Sequence, residues 1–165
     1  DSMGNLIKQL HLATWKGFFC QMGVTPMLWW FALVDEHELY TDYRNLRAFM
    51  EGEDGRGMSS DIQDIPQADI VLHTLQNHRH ALIWGYDQDY YYSSDETKHP
   101  QLFDELEVGV AGLRAGAYVV EYWDVATGEI SSQQAIQVKK TDSSVNLQIP
   151  PFRRDFALKI RRLDR

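Results

Sequence analysis

The chain has 165 residues, 44% of them hydrophobic and 12% aromatic, which is enough to bury the core of one domain, or of one domain and part of another. Its formal net charge of −8 disfavours a nucleic acid as partner, because phosphate binding needs a basic surface. A single cysteine, Cys20, forms no internal disulfide, and no run of about 18 apolar residues predicts a membrane span. We therefore expect neither nucleic acid nor membrane as a partner.

The first third of the chain predicts helix, short strand, helix. Residues 5–19 carry apolar side chains at helical spacing on more than one side, so this helix is expected to be covered by more than one neighbour. Residues 24–30 predict a short buried strand. Asp35, with Glu38 three residues later, predicts the N-cap of a second helix that ends at Gly52, a left-handed C′ residue.

Residues 51–67 mix glycine, serine, acidic residues and proline without a period, and predict a boundary. The rest of the chain alternates apolar with polar residues between turn signals, which is typical of an antiparallel β-sandwich. The predicted strands are 69–75, 79–86, 89–93, 104–111, 116–124, 130–139, 144–149 and 155–162. We therefore expect an α+β chain, in which a two-helix, one-strand segment precedes a sandwich of about eight strands.

The strand 116–124 fixes the expected core, because its side chains alternate between two faces. A one-residue shift in register would move the whole apolar set to the opposite face. The residues expected to point into one core between two sheets are Tyr118, Val120, Tyr122, Leu147, Ile149, Phe156, Leu158 and Ile160. Lys159 has the opposite parity and is expected to be exposed, so that its replacement by alanine changes the stability by no more than about 0.5 kcal/mol.

The segments GVTPMLWW and DEHELYTDYRNLRAFMEGED, after a helix, resemble the end of the barrel in clan-A (β/α)8 glycoside hydrolases. ALIWGYD, LRAGAYVVEYWDVATGEI and LQIPPFRRDFALKIRR resemble the C-terminal sandwich that often follows such barrels, sometimes described as a possible collagen-binding domain. The resemblance implies that residues 1–51 are the last helix, strand and helix of a barrel, 52–67 a linker and 68–165 an accessory β-sandwich. It also implies an upstream barrel portion as a partner, carbohydrate as a ligand, and a secreted or periplasmic location.

In this family the two catalytic carboxylates lie on the fourth and seventh barrel strands, which would precede Asp1. The resemblance therefore implies that no residue of this chain is catalytic. What the chain would keep is part of the cleft wall, because residues at the C-terminal end of a barrel strand face the site. Trp29 and Trp30 are then candidate sugar-stacking rings, and core packing is the alternative for each.

Tyr90 and Tyr91 lie in a segment rich in tyrosine and aspartate and are the other candidate carbohydrate contacts. The alternatives for this segment are a calcium site, which lacks a glycine and a terminal glutamate at suitable spacing, and a hairpin with cross-strand aromatic pairs. His78 and His80 share a face without a third ligand at recognisable spacing. We therefore expect no metal site and no cofactor.

Taken together, these patterns indicate the accessory C-terminal region of a glycoside hydrolase that acts on polysaccharide or oligosaccharide, not catalytic by itself. The alternative is a free-standing β-sandwich module that binds carbohydrate or a matrix protein. An autonomous enzyme is a third possibility, but no set of nucleophile and base can be identified in the sequence.

Overall fold

The computed structural model describes residues 3–23, 30–95, 97–141 and 143–163. Within them the helices are α1 (Met3–Phe19), α2 (Phe31–Glu36), α3 (Tyr40–Met50) and α4 (Gln88–Tyr92). The strands are β1 (Ser59–Ile65), β2 (Ile70–Asn77), β3 (His80–Asp87), β4 (Glu107–Val110), β5 (Gly116–Asp124), β6 (Glu129–Val138), β7 (Val145–Gln148) and β8 (Asp155–Arg162). The expected α+β class is confirmed.

The strands form two antiparallel sheets. The large sheet has six strands in the order β1-β2-β3-β8-β5-β6, and the small sheet pairs β4 with β7. Strand β8, the last in the chain, lies in the middle of the large sheet between β3 and β5. The fold therefore depends on a long-range pairing in which the end of the chain joins segments from its middle.

Each face of the large sheet is covered by a different layer. One face packs against the small sheet and encloses a core that includes Val108 and Val110 of β4 and Leu147 of β7. The other face packs against α1 and α3 and encloses a second core. Alternate residues of the central strands therefore enter different cores, as the two-residue period of a strand requires.

The eight residues that the sequence places in one core between two sheets all lie in the core shared with the small sheet. This part of the prediction is confirmed. Several residues of β5 and β8 with opposite parity meet the helical layer instead of solvent. Among them are Trp123, which is packed at the edge of the second core, and Ala157, which is buried in it.

Aromatic rings join the helical layer to the sheet. Trp15 of α1 stacks on Trp84 of β3 with ring centroids 5.8 Å apart, and Phe19 stacks on the same ring at 6.2 Å. Phe49 of α3 contacts both Trp15, at 5.4 Å, and Trp123 of β5, at 5.5 Å. These large side chains bury more apolar surface than aliphatic ones would, so the short helical layer is firmly held.

Residues 89–93 were predicted as a strand, and this was wrong. Asp87 closes β3 and caps α4, its side chain accepting a hydrogen bond from the Tyr90 N–H at 2.9 Å. β2 begins at Ile70, directly opposite Asp87, so the neighbouring strand offers residues 89–93 no further partner. The N-cap therefore starts a short helix where the tyrosines alone favour a strand.

The predicted start of the second helix was also wrong. Asp35 lies inside α2, and its carboxylate accepts a hydrogen bond from the Tyr40 hydroxyl at 2.6 Å. The helical conformation is interrupted at Glu38, whose backbone φ is 52°, and α3 then begins after Leu39. The predicted end was correct, because Gly52 follows α3 with a φ of 76°.

The segment expected to be a linker contains strand β1, which pairs along its length with β2. Its mixture of serine, aspartate and glutamine has no apolar period because β1 is an edge strand that is exposed at nearly every position. The predicted strand 24–30 falls almost wholly outside the described residues. The division of the chain into domains at residues 51 and 68 stays a prediction.

Gly85 of β3 leaves room for a ring from β8. A Cβ atom added at Gly85 would lie 2.5 Å from the ring of Phe156 and 2.7 Å from Leu72. We expect Gly85→Ala to destabilise the protein by about 1–3 kcal/mol in urea unfolding, because a packed ring must move. Phe156→Ala should cost about 3–5 kcal/mol.

The double variant Gly85→Ala with Phe156→Ala tests whether the clash with the Phe156 ring causes the loss of stability. With Phe156 reduced to alanine, the added methyl group has space, so Gly85→Ala should cost much less in that background. Gly4→Ala is the matched control, since nothing lies within 4 Å of a Cβ atom there. Strictly additive costs for Gly85→Ala and Phe156→Ala would contradict this account.

Candidate functional site

The tyrosine-rich helix α4 lies against α1, at the side of the helical layer. Of its three tyrosines, Tyr91 is 6% exposed and Tyr92 is 59% exposed, while Tyr90 is half-buried. A helix of one turn places neighbouring residues on different sides, so the three rings meet different surroundings. The structure therefore separates the two candidate contacts, Tyr90 and Tyr91, from each other.

Tyr91 packs inside the second core. Its ring stacks on the imidazole of His11, with centroids 5.4 Å apart and planes 9° from parallel. Its hydroxyl has no hydrogen-bond partner among the described residues. A sugar could not stack on this ring without displacing α1, so Tyr91 belongs to the core.

Tyr90 and Tyr92 each meet a lysine of α1. Lys8 Nζ donates to the backbone carbonyl of Tyr90 at 3.2 Å and lies 4.3 Å from the centre of its ring. Lys16 Nζ donates to the hydroxyl of Tyr92 at 2.6 Å and lies 5.0 Å from its ring centre. We call Lys8, Lys16, Tyr90 and Tyr92 the tyrosine–lysine surface.

A signal for this surface is present in the sequence, but the strand assignment concealed it. Two lysines eight residues apart in α1 lie about two helical turns from each other on one side of the helix. Their ammonium groups hold two tyrosine rings by hydrogen bonds and by cation–π contact. Tyr92, Lys8 and Lys16 were not among the predicted contacts.

Trp29, one of the two tryptophan candidates, lies outside the described residues. Trp30 is half-buried and directly precedes α2. Its neighbour Phe31 is 73% exposed and is the most exposed of the large hydrophobic side chains described. The start of α2 is therefore an apolar surface, and sugar stacking at Trp29 and Trp30 stays a prediction.

A buried histidine joins three elements of the fold. His11 Nδ1 lies 2.8 Å from Asp42 of α3, and Nε2 lies 2.6 Å from Asp155 of β8. Because carboxylates accept and do not donate, both ring nitrogens carry a proton and the ring is an imidazolium. Burial alone lowers the pKa of His11, but the charges and hydrogen bonds of the two aspartates raise it to about 9.

A second buried charge cluster corrects the prediction for Lys159. This side chain is 1% exposed, and its ammonium lies 2.9 Å from Glu53, which is 2% exposed. Arg161 reaches the same Glu53 oxygen at 2.8 Å. The prediction assumed that the face of β8 carrying Lys159 is exposed to solvent, whereas that face lies under the helical layer. Lys159 packs there against the rings of Phe49 and Trp123.

The buried carboxylates of the described residues have structural partners. Asp87 caps α4, Asp155 accepts from Trp84 Nε1 at 3.2 Å as well as bonding His11, and Glu121 accepts from the indole of Trp123 at 3.3 Å. Cleavage of a glycoside needs two carboxylates that face a cleft from either side of the bond. No such pair stands out in residues 3–23, 30–95, 97–141 and 143–163.

The same ranges contain no group of three or more His, Cys, Asp or Glu side chains that could hold a metal ion. His78 and His80 are separated by their contacts. The ring of His78 faces the Gly112 carbonyl at 3.0 Å, and that of His80 lies 3.1 Å from Glu53 without hydrogen-bond geometry. In the same part of the chain no helix is long and apolar enough to cross a membrane.

An open groove of about 770 Å³ runs between α1, α3 and the loop before β1. Phe18, Met50 and Met58 contribute apolar surface to it, and Arg47 and Arg56 contribute charge. Arg56 is already held by Asp54 through paired hydrogen bonds of 2.6–3.0 Å. The helical layer therefore covers the sheet with one side and leaves an incompletely filled surface on the other.

No family model matches the chain, and no curated protein matches it. Among solved structures it is similar to a GH30 endoxylanase from Clostridium papyrosolvens C71, with a TM-score of 0.37 and 11% sequence identity. The alignment covers 72% of this chain and 26% of the endoxylanase chain, so the chain spans about a quarter of that protein's length. This is a weak structural similarity to a glycoside hydrolase and carries no argument about function.

Lys159 should be a major contributor to stability. We expect Lys159→Ala to cost about 3–5 kcal/mol, because it leaves Glu53 buried with one cation fewer. Arg161→Ala should cost less than about 1 kcal/mol, since the Arg161 side chain is 41% exposed.

The double variant Glu53→Gln with Lys159→Met removes both buried charges and should recover at least half of the loss, as measured by urea unfolding. If Lys159→Ala has a midpoint close to that of the wild type, the buried pair contributes little and this account is wrong.

His11 should make stability depend on pH. Its pKa is about 9 in the folded state and 6.5 as the ordinary value, so its contribution is fully present below pH 6.5 and is lost as pH rises to about 9. The change is on the order of 3 kcal/mol. His11→Gln cannot titrate, so the stability difference from wild type should shrink between pH 6 and pH 9.5. A difference that stays constant over this range would disprove the charged state.

Proposed function

We propose that this chain is a non-catalytic accessory region of a glycoside hydrolase-type protein and that it contacts carbohydrate through the tyrosine–lysine surface. The observation that carries this proposal is the exposed ring of Tyr92, held by Lys16 on a short helix next to Tyr90. An aromatic ring packs against the apolar face of a pyranose, and a neighbouring hydroxyl or ammonium group donates to sugar oxygens. Residues fixed in this way lose little conformational entropy on binding.

The carboxylates of the described residues support the non-catalytic part of the proposal. The most buried ones are engaged in helix capping, in the His11 bridge and in the cluster around Lys159. Burial raises the pKa of Asp87, as a general acid requires, but the side chain of Asp87 is used to cap α4. The chemistry would therefore come from another part of the protein.

The proposed partner for the helical layer is the upstream barrel portion of the same protein, which the sequence resemblance implies. The helical part of the chain exposes Phe31, and the groove between α1, α3 and the loop before β1 includes Phe18 and Met50. Large apolar surfaces of this kind mark contacts with further protein.

The chain alone should bind a hydrophobic dye at this apolar surface. Phe31→Asp should reduce the dye fluorescence without changing the melting temperature.

The free-standing binding module remains the second candidate, and one observation favours it. Trp15, Phe19 and Phe49 of the helices share a core with Trp84 of the large sheet, so the helices do not need an upstream barrel to be held in place. A cooperative monomer that binds no hydrophobic dye would support this candidate over the accessory region. The carbohydrate surface is common to both.

Binding to plant and bacterial polysaccharides tests the surface. In affinity electrophoresis on a polysaccharide panel, the wild type should be retarded by at least one of them. Tyr92→Ala should weaken the retardation about tenfold or more, in line with the loss of about 1–3 kcal/mol from an aromatic contact. Lys16→Met, which releases the Tyr92 hydroxyl, should have a smaller effect of the same sign.

Tyr40→Ala is the matched control, because Tyr40 is 53% exposed on α3 and outside the tyrosine–lysine surface. It should bind as the wild type does. If no polysaccharide retards the wild type, or if Tyr40→Ala and Tyr92→Ala weaken binding equally, the proposed surface is wrong. Hydrolysis of glycosides by the purified chain, abolished by replacing one of its carboxylates, would overturn the non-catalytic assignment.

A further inference from the structure

Strand β6 forms one edge of the large sheet. It runs from Glu129 to Val138, and its neighbour on the inner side is β5. No element among the described residues pairs with its outer side. The first seven of its ten residues are exposed, so neither a helix nor a loop covers most of the strand. Half of its backbone N–H and C=O groups are therefore open to another strand.

The opposite edge of the sheet is protected in the usual way. Strand β1 carries Asp61 and Asp64, and Pro66 follows it directly in a short 3-10 turn. Charged residues and proline on an edge strand hinder pairing with another chain. β6 has no charged residue and no proline from 130 to 138, and its one irregularity is a register shift near Ser131.

Charges mark the two ends of β6 with opposite signs. Glu129 begins the strand, and Lys139 and Lys140 follow its last residue. In antiparallel pairing of two copies, the start of each strand lies beside the end of the other, so Glu129 meets the lysines of the second copy. Parallel pairing would place like charges together. None of the three side chains has an ion pair among the described residues, so their charges are available to a partner.

We propose that β6 binds β6 of a second copy in antiparallel register, so that two six-stranded sheets join across a two-fold axis. Such an interface is isologous and closes after two copies, because each partner uses the edge that the other needs. The uncharged centre of the strand contributes backbone hydrogen bonds, and the charged ends set the direction and the register. The pairing of a single strand buries little surface, so the dimer should dissociate on dilution.

A charge exchange tests the register. In sedimentation velocity over a concentration series, the wild-type chain should shift from monomer to dimer. Glu129→Lys should weaken dimerisation about tenfold, and Lys139→Glu with Lys140→Glu should do the same, because each places like charges together at both ends. The triple variant that combines these changes restores opposite charges and should dimerise as the wild type does.

A blocking variant tests the strand itself. In an antiparallel pair centred near Gln134, Ala135 of the two copies lies close to the axis, so Ala135→Lys brings two ammonium groups together and should give a monomer. Gln63→Lys places the same charge on the exposed β1 edge and should leave dimerisation unchanged. Melting temperatures near that of the wild type show that each variant is folded.

Three results would overturn the proposal. The first is a wild-type chain that sediments as a monomer up to about 1 mM, the concentration below which a specific contact is expected to show. The second is a triple charge variant that stays as weak as the single changes. The third is a dimer that survives Ala135→Lys but is lost in Phe31→Asp, which would place the contact on the helical layer.

Discussion

The central strands of the six-stranded sheet are buried on both faces, and this constraint determines most of the structure. A sheet covered on one side tolerates polar residues at every second position, but a sheet between two layers must bury or pair them. β8 lies at its centre, with Phe156 and Leu158 in one core and Ala157 in the other. The small sheet and the helical layer are therefore both required to exclude water from β8.

The charged groups buried on the helical side are paired because they cannot reach water. Asp155 and Lys159 lie on the same face of β8, and each meets an oppositely charged group from the helical part of the chain. His11 supplies the charge for the first, and Glu53, just after α3, supplies it for the second. An incorrect placement of α1 or α3 would leave one charge of each pair buried and unpaired, which is strongly destabilising. We infer that these pairs fix the position of the helices on the sheet.

The sequence was sufficient where the period of a strand decides the structure. Tyr118, Phe156 and Ile160 have the same parity, and the register of the sheet places them in one core. The sequence was insufficient where burial depends on segments that are distant along the chain. Lys159 looks like a solvent-facing residue in the sequence, because nothing in the alternation of β8 reveals that a distant segment around Glu53 covers that face.

The same limitation explains the tyrosine-rich segment. Consecutive tyrosines favour a strand by propensity, but Asp87 caps a helix instead, because β2 offers no partner beyond Ile70. In this helix the ring of Tyr91 is buried in the core and that of Tyr92 is exposed. Of the two predicted contacts, Tyr90 is therefore half-buried and Tyr91 is buried, and sugar binding at Tyr90 stays a prediction.

The extent of the helical layer also explains why the two edges of the sheet differ. The layer is held chiefly by Trp84 of β3, by Asp155 and Lys159 of β8 and by Trp123 of β5, and it reaches the turn before β6 through Asn45. Asn45 donates to the carbonyl of Ala126 at 2.7 Å.

Most of β6 therefore lies beyond the cover that the helices provide, and its sequence does not compensate with charges as that of β1 does. A strand left open in this way invites aggregation unless something pairs with it, and selection commonly removes such strands. In the dimer proposed above, a second copy of the same strand would pair with the backbone of this uncharged edge and with the opposite charges at its two ends.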